Sequence, residues 1–458
     1  MIKHISHRIF ITVFILIALH ASPNGPLSAR YTDAIQSLVD YGTFALHGTP
    51  RSAIDIVQVN NNFYSVIPPG IPIILAPLYF LHRTLMGVIG IPSVDEVYWA
   101  VFNILINICV VAPLVGLVAV LMYKTLSKFT DNVTKKLWLV FIFIFGSLVF
   151  FYSIYGIWSH TYTMPFIFIA FYLTINKGNS FLIGLCLGLA QLVDYIAIIP
   201  ISLLIGFWAY TQFQDKTKSF IKELVLLLLA YSIFVAILLY YNHSVTGSMF
   251  QTPNSLFLQK INRDDSVHKS LFSLPSLESL WGLTFSPFRG VFLYFPMTFL
   301  FFMSLIKNDL NKNKIFLFSL IFFTFVFIYN ASYFAWSGDV CFGPRHLVVA
   351  IPYMIIPIVY CPLKYIKIFG TLSIFVNLAG VATVPSDNLF KNIAMFLYKG
   401  PFLQWLDYLY KVVLPHYYNV RISLMTPFFI YVATGFLIYF IWKPSIKQQE
   451  VLFKDRVA

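Results

Sequence analysis

Carboxylates are scarce in this chain, 18 among 458 residues, and five of them, Asp33, Asp40, Asp55, Asp95 and Glu96, fall within its first hundred residues. Proton abstraction by a carboxylate, if the chain performs it, is therefore concentrated there. Three basic side chains stand elsewhere beside glycine, proline and aromatic residues: Arg289 in LTFSPFRGVFLYFP, and Arg345 with His346 in WSGDVCFGPRHLVVAIP. A guanidinium in that setting can grip a phosphate with two parallel bonds, and its bland alternative is snorkelling to ordinary lipid phosphate. Asp194, in LAQLVDYIAI, is an ionisable residue near the end of an apolar run, where a charge is costly enough to mark a functional position or a partner on a neighbouring helix. His160, in YGIWSHTYTMP, is read as structural.

These residues must be positioned by membrane helices. Hydrophobic residues make up 59% of the chain, charged ones 11%, and the mean hydropathy is +0.78, which is more apolar surface than a soluble core can hide. The net charge of +13 lies in short lysine clusters between apolar runs rather than in a basic stripe, so it predicts cytoplasmic loops and no nucleic acid partner. The four cysteines show neither CxxC nor paired spacing and are read as buried thiols.

Apolar runs at about 95–122, 137–154, 158–176, 180–198, 199–211, 223–242, 289–306, 315–334, 346–362, 366–384 and 422–442, with an uncleaved first helix, predict an all-α polytopic protein of about twelve spans. Alternate connections carry the Lys excess, including Lys124, Lys128, Lys135 and Lys136, then Lys177, then Lys364 and Lys367. That pattern predicts cytoplasmic termini in a plasma (inner) membrane and external loops at 22–94, 243–288 and 385–421, with a short one at about 335–345. The apolar stretch 68–81 would invert every later loop if it crossed, so it is expected to lie against the outer face, with Pro68 and Pro69 in its first turn.

Within the first external loop, SARYTDAIQSLVDYG predicts an amphipathic helix of about fourteen residues with Ser28 as N-cap and Gly42 as its stop. Helical spacing places Arg30, Asp33, Ser37 and Asp40 on one face and Tyr31, Ile35, Leu38 and Val39 on the other, a helix lying on the membrane surface. The pair Asp264 and Asp265 is read as a solvated loop, and no metal ligand set is assigned. No Walker loop, GxGxxG, GxSxG or HExxH occurs, which leaves nucleotide chemistry and soluble-type hydrolysis without support.

The segments ARYTDAIQSLVDYGTFAL and FYSVIPPGIPIILAPLYFL, followed in order by YGIWSHTYTMPFIF, GLCLGLAQLVDYIAI, YYNHSVTGSMFQT, LTFSPFRGVFLYFP and YFAWSGDVCFGPRHLVVAIPYM, resemble the GT-C superfamily of glycosyltransferases that use polyprenyl-phosphate sugars. Protein mannosyltransferases and lipid A aminoarabinose transferases are members, and the resemblance, to a bacterial and archaeal branch, covers most of the chain. It implies one transmembrane domain over 1–458 and an inverting transfer, with or without a divalent metal, to a lipid, glycan or protein acceptor. It also implies Asp33, Asp55 or Asp40 as base, Arg345, Arg289 and His346 on the leaving phosphate, and Arg30 and Asp194 toward the substrate. Two positions depart from the better-known branches: Ala29 rather than an acidic residue precedes Arg30, and Ile67 rather than Lys precedes the double proline. The readings weighed against transfer are a transporter or flippase for a lipid-linked or anionic substrate, and a lipid-linked polysaccharide polymerase or ligase.

Overall fold

A computed structural model describes residues 2–23, 29–48, 50–51, 55–214, 220–264, 272–307, 313–338, 341–383, 388–414 and 426–457. Ser28 and Asp265 lie outside the described residues. The chain is an all-α integral membrane protein. Among the described residues seven helices are long and apolar enough to cross a bilayer: Gly70–Ile89, Glu96–Leu126, Tyr195–Gln214, Phe220–Thr246, Lys314–Ser332, Leu363–Val381 and Thr426–Lys443. An eighth span is possible if Val133–Phe145 and Leu148–Ile154, bent by 52°, count as one.

Several of the apolar runs read as single spans are broken in ways their sequences explain. Gly146 and Ser147 cause the 52° bend: Ser147 Oγ donates to the Phe143 carbonyl at 2.5 Å and accepts from Val149 N at 3.2 Å, ending one helix and starting the next. The 289–306 run divides into Val291–Tyr294 and Met297–Lys307, around Pro296, which cannot donate to the ladder. From Arg345 to Tyr360 the chain alternates 3₁₀ and α turns, punctuated by Pro352 and Pro357. The run beginning at 95 forms the single 31-residue helix Glu96–Leu126, with a π turn at Asn107–Val111 where Asn107 Nδ2 donates to the Ser153 carbonyl at 2.6 Å.

The helix Ser180–Val193 lies unusually close to Phe220–Thr246. Its Gly184 and Gly188, one turn apart, face backbone and ring: a Cβ on Gly184 would overlap the Leu227 carbonyl, and one on Gly188 the Phe234 ring. Small residues four apart are how membrane helices approach without a hydrophobic driving force between them. Gly184→Val is expected to pry the pair apart at a cost of about 1–3 kcal/mol, seen as a lower melting temperature in detergent. An unchanged melting temperature would contradict this contact.

The two ends of the bundle differ. At one end Lys128 Nζ donates to the Ile175 carbonyl at 3.4 Å, Lys135 Nζ to the Val359 carbonyl at 3.1 Å and Lys136 Nζ to Ser127 Oγ at 3.1 Å. Three of the lysine-bearing connections of the sequence are thus neighbours in space. The residues with chemistry to offer gather at the opposite end.

There the helix Ala29–Tyr41 forms as its periodicity requires and stops at Gly42, whose φ of +68° is the left-handed conformation glycine adopts without strain. Its polar face is not solvated, however. Asp33 and Ser37 are buried along with Tyr31 and Ile35, because the 50–51 loop and the helix Gly70–Ile89 cover that face. A short antiparallel hairpin, Ile56–Val59 with Asn62–Ser65, follows, turned by Asn60 and Asn61 at φ of 47° and 64°. Two adjacent left-handed residues are what a two-residue hairpin turn of this twist demands, and asparagine tolerates them.

Candidate functional site

Trp158 is the centre of the site. It sits in the connection between Leu148–Ile154 and Ser159–Ile175, is 2% exposed, and follows Gly156, whose φ of +67° lets the chain reverse there. Two guanidiniums reach its ring from different parts of the sequence, Arg30 at 5.9 Å and Arg345 at 5.4 Å from the centroid. Cations over an indole face are held by its quadrupole, so one aromatic side chain tolerates both charges nearby.

Arg30 comes from the start of Ala29–Tyr41 and pairs with Asp55 at 2.5 Å. Burial opposes its charge, but Tyr31 and Asp55 outweigh burial and hold its pKa above the ordinary value. Asp55 occupies φ +61°, rare for a residue with a side chain, and its carbonyl accepts from Val66 N at 3.0 Å across the base of the hairpin. The hairpin therefore aims this carboxylate at Arg30.

Arg345 opens its 3₁₀ run, directly after Pro344. Gly338, at φ +74°, packs so closely on the Arg345 side chain that a Cβ would overlap Nε. Arg289, fully buried, donates from Nε to the neighbouring Ser337 carbonyl at 2.6 Å and from Nη1 to the Phe288 carbonyl at 2.8 Å. Arg289, expected on the leaving phosphate, thus braces the loop that carries Ser337 instead of joining Arg30 and Arg345 on Trp158.

Asp194 ends Ser180–Val193 and caps the next turn, accepting from Ile196 N at 3.0 Å. Its other oxygen lies 3.8 Å from His160 Nδ1. The His160 ring stands edge-on to His346 at 5.2 Å, and His346 to Tyr333 at 5.9 Å. Gly70, at the head of the segment after the double proline, fits against the Leu192 backbone without room for a Cβ, which draws the first loop onto this end of the helix.

Arg30, Asp55, Asp194, Arg345 and His346 are thus brought together. Asp33 and Asp40 are elsewhere on their helix and are committed to the fold. Asp33 accepts from Arg51 at its backbone N (2.9 Å) and at Nε (2.6 Å), while Arg51 stacks 3.4 Å over Trp99 and donates to Thr32 Oγ1 at 3.1 Å. Burial pushes the Arg51 pKa down, and Asp33 pulls against it. Asp40 pairs with Arg83 at 2.6 Å and takes a long bond of 3.5 Å from Tyr79. Sequence reasoning passed over Trp158, Arg51, Trp99 and Arg83 and set His160 aside. The signal for Trp158 was its place in GIWSH, two residues after a helix-breaking glycine and directly before the start of the next helix.

Four buried nitrogens around the centre, Arg30 Nε, Arg345 Nε, Trp158 Nε1 and His346 Nε2, have no hydrogen-bond partner. Folded proteins rarely leave such atoms unsatisfied, so water, an ion or a ligand is expected to complete them. Their chemistry, two guanidinium N–H groups and an indole N–H, suits an anion with several oxygens. Among the described residues no group of three His, Cys, Asp or Glu side chains is arranged to hold a metal ion. No family model, curated protein or solved structure matches the chain.

Proposed function

We propose that the protein is a membrane glycosyltransferase that moves a sugar from a polyprenyl-phosphate donor to a lipid, glycan or protein hydroxyl on the extracytoplasmic side. The observation that carries the reading is the pair of guanidiniums, Arg30 and Arg345, on one buried indole, with unsatisfied donors beside the carboxylates Asp55 and Asp194. A leaving phosphate develops charge as the sugar departs, and preoriented donors at that point stabilise the transition state more than the ground state. Titratable side chains at the same end, His160 beside Asp194 among them, offer the second half of the reaction, removal of the acceptor proton.

In this reading the lysine-capped end is cytoplasmic, with both termini, and the Trp158 end faces outward from a plasma membrane. The segment Gly70–Ile89 lies on the outer face, as its pairing through Arg83 with the first-loop helix favours, and the twelve expected spans include the shorter apolar helices His4–Leu19, Ser180–Val193 and Met297–Ile306. Transport is the less favoured function because the interior between the two ends is filled by a continuous apolar core rather than a polar path.

The test is transfer by the purified protein from radiolabelled polyprenyl-phosphate hexose or pentose to a mixed acceptor extract. Label moving into a polyprenyl-free product supports the reading. No turnover with any such donor, in a preparation that binds none of them, overturns it.

A further inference from the structure

We propose that His160, oriented by Asp194, is the general base that takes the acceptor proton, and that the first-loop carboxylates are not. This rests on the transferase reading above.

Each carboxylate of the first loop that the structure positions near the site's end already has a guanidinium on it: Asp33 has Arg51, Asp40 has Arg83 and Asp55 has Arg30. To accept a proton, each would first give up a charged bond. Asp194 is different. It shares its end of the bundle with Arg30 and Arg345 but pairs with neither; Ile196 N and the Ser159 side chain hydrogen-bond it, and the basic side chain in reach of its second oxygen is an imidazole. His160 stands on the first turn of Ser159–Ile175, two residues from Trp158, so the base and the two guanidiniums are fixed to one short segment. With Nδ1 turned to the carboxylate, Nε2 is left for the acceptor. An imidazole whose far nitrogen faces an acidic group is the standard way to fix one tautomer and to steady the cation formed when the ring is protonated. At 3.8 Å the contact is looser than a hydrogen bond, as catalytic contacts are before substrate closes on them.

The groups that face His160 are Asp194 from the end of Ser180–Val193, Arg345 and His346 from the 3₁₀ run, Arg30 from the first-loop helix and the Tyr152 ring from Leu148–Ile154. Two positive charges and one negative one surround the ring. In the step itself the acceptor oxygen bonds to sugar C1 as the C1–O bond to phosphate breaks. The bonding pair leaves on the polyprenyl phosphate, beside Arg345, and the hydroxyl proton passes to His160 Nε2. Asp194 touches no reacting atom and is a positioning residue.

The experiment measures the pH profile of kcat and the donor Kd for the full-length protein in nanodiscs, with polyprenyl-phosphate sugar as the probe. Wild type is expected to show a rate that rises with pH through an acid limb. His160→Gln is expected to lose that limb and about 100-fold in kcat with donor Kd unchanged. Asp194→Asn is expected to move the limb to lower pH, since the protonated ring loses its counter-charge, an effect a structural role would not produce. Retention of kcat and of the limb in His160→Gln, or their loss in Asp55→Asn instead, overturns the assignment, as does loss of donor binding in His160→Gln. Should His160→Gln not yield a monodisperse protein, His160→Asn and Asp194→Asn make the same comparison. Absence of transfer by wild type overturns the transferase reading itself, whereas transfer that survives in His160→Gln overturns only the base.

Discussion

Arg345→Ala is expected to reduce transfer about 10³-fold, through weaker donor binding and a slower chemical step, while the melting temperature stays where it was. The combination follows from where the side chain spends its interactions. Arg345 has no ion-pair or hydrogen-bond partner among the described residues; it stacks beside Trp158 with its Nε unsatisfied. A partly buried guanidinium that gives the fold so little is retained for something the fold does not contain. Removing it should relieve desolvation as much as it removes packing, so stability is nearly neutral, whereas on the proposed reading a donor phosphate would lose two charge-assisted bonds. Arg345→Lys should recover only part of the activity, because an ammonium cannot supply the planar fork. Radiolabel transfer and thermal unfolding of the same preparations check both halves. A variant that melts well below wild type, or one that transfers normally, would contradict this role.

Arg51→Ala is expected to act in the opposite way, costing about 3 kcal/mol of stability before any effect on chemistry, because it strands Asp33 as an uncompensated buried charge. Asp33 is 7% exposed, and Arg51 is about one-third exposed, so the cost lies toward the lower end of the range for a broken buried pair. The indole of Trp99 loses its cation at the same time. Asp33→Ala with Arg51→Ala should cost clearly less than the sum of the single changes, since removing both partners leaves no orphaned charge. Thermal unfolding of the four proteins measures the coupling, and simple additivity would show that the pair contributes nothing beyond its separate side chains.

Much of this was legible in the sequence. Lysine placement anticipated which connections share an end, and the 3.6-residue pattern of 29–41 anticipated the first-loop helix and its stop at Gly42. Arg345 and Asp194 could be singled out because charges beside apolar runs are costly and therefore conspicuous, and Asp55 because carboxylates are scarce and cluster in the first loop. What the sequence hid was pairing. Arg51, Arg83 and Trp99 look like ordinary loop and interface residues until Asp33 and Asp40 are seen to be held by them, so that arginines cover the polar face of the first-loop helix. Trp158 was hidden for a related reason. In a chain with 18% aromatic residues, one indole carries no signal until two guanidiniums from distant segments converge on it.

The 31-residue helix Glu96–Leu126 is about 46 Å long at the α-helical rise, some 16 Å more than a hydrocarbon core is thick. Its first turns carry Trp99, on which Arg51 rests, and its π turn is tied to Ser153 just before the Trp158 connection. The helix thus behaves as a measuring post, setting the distance between the first loop and the far end of the bundle by backbone geometry rather than by loop packing. On the proposed transferase reading, a donor whose tail is anchored in lipid would meet Trp158 at that fixed height, and bilayer thickness would become a variable of the reaction.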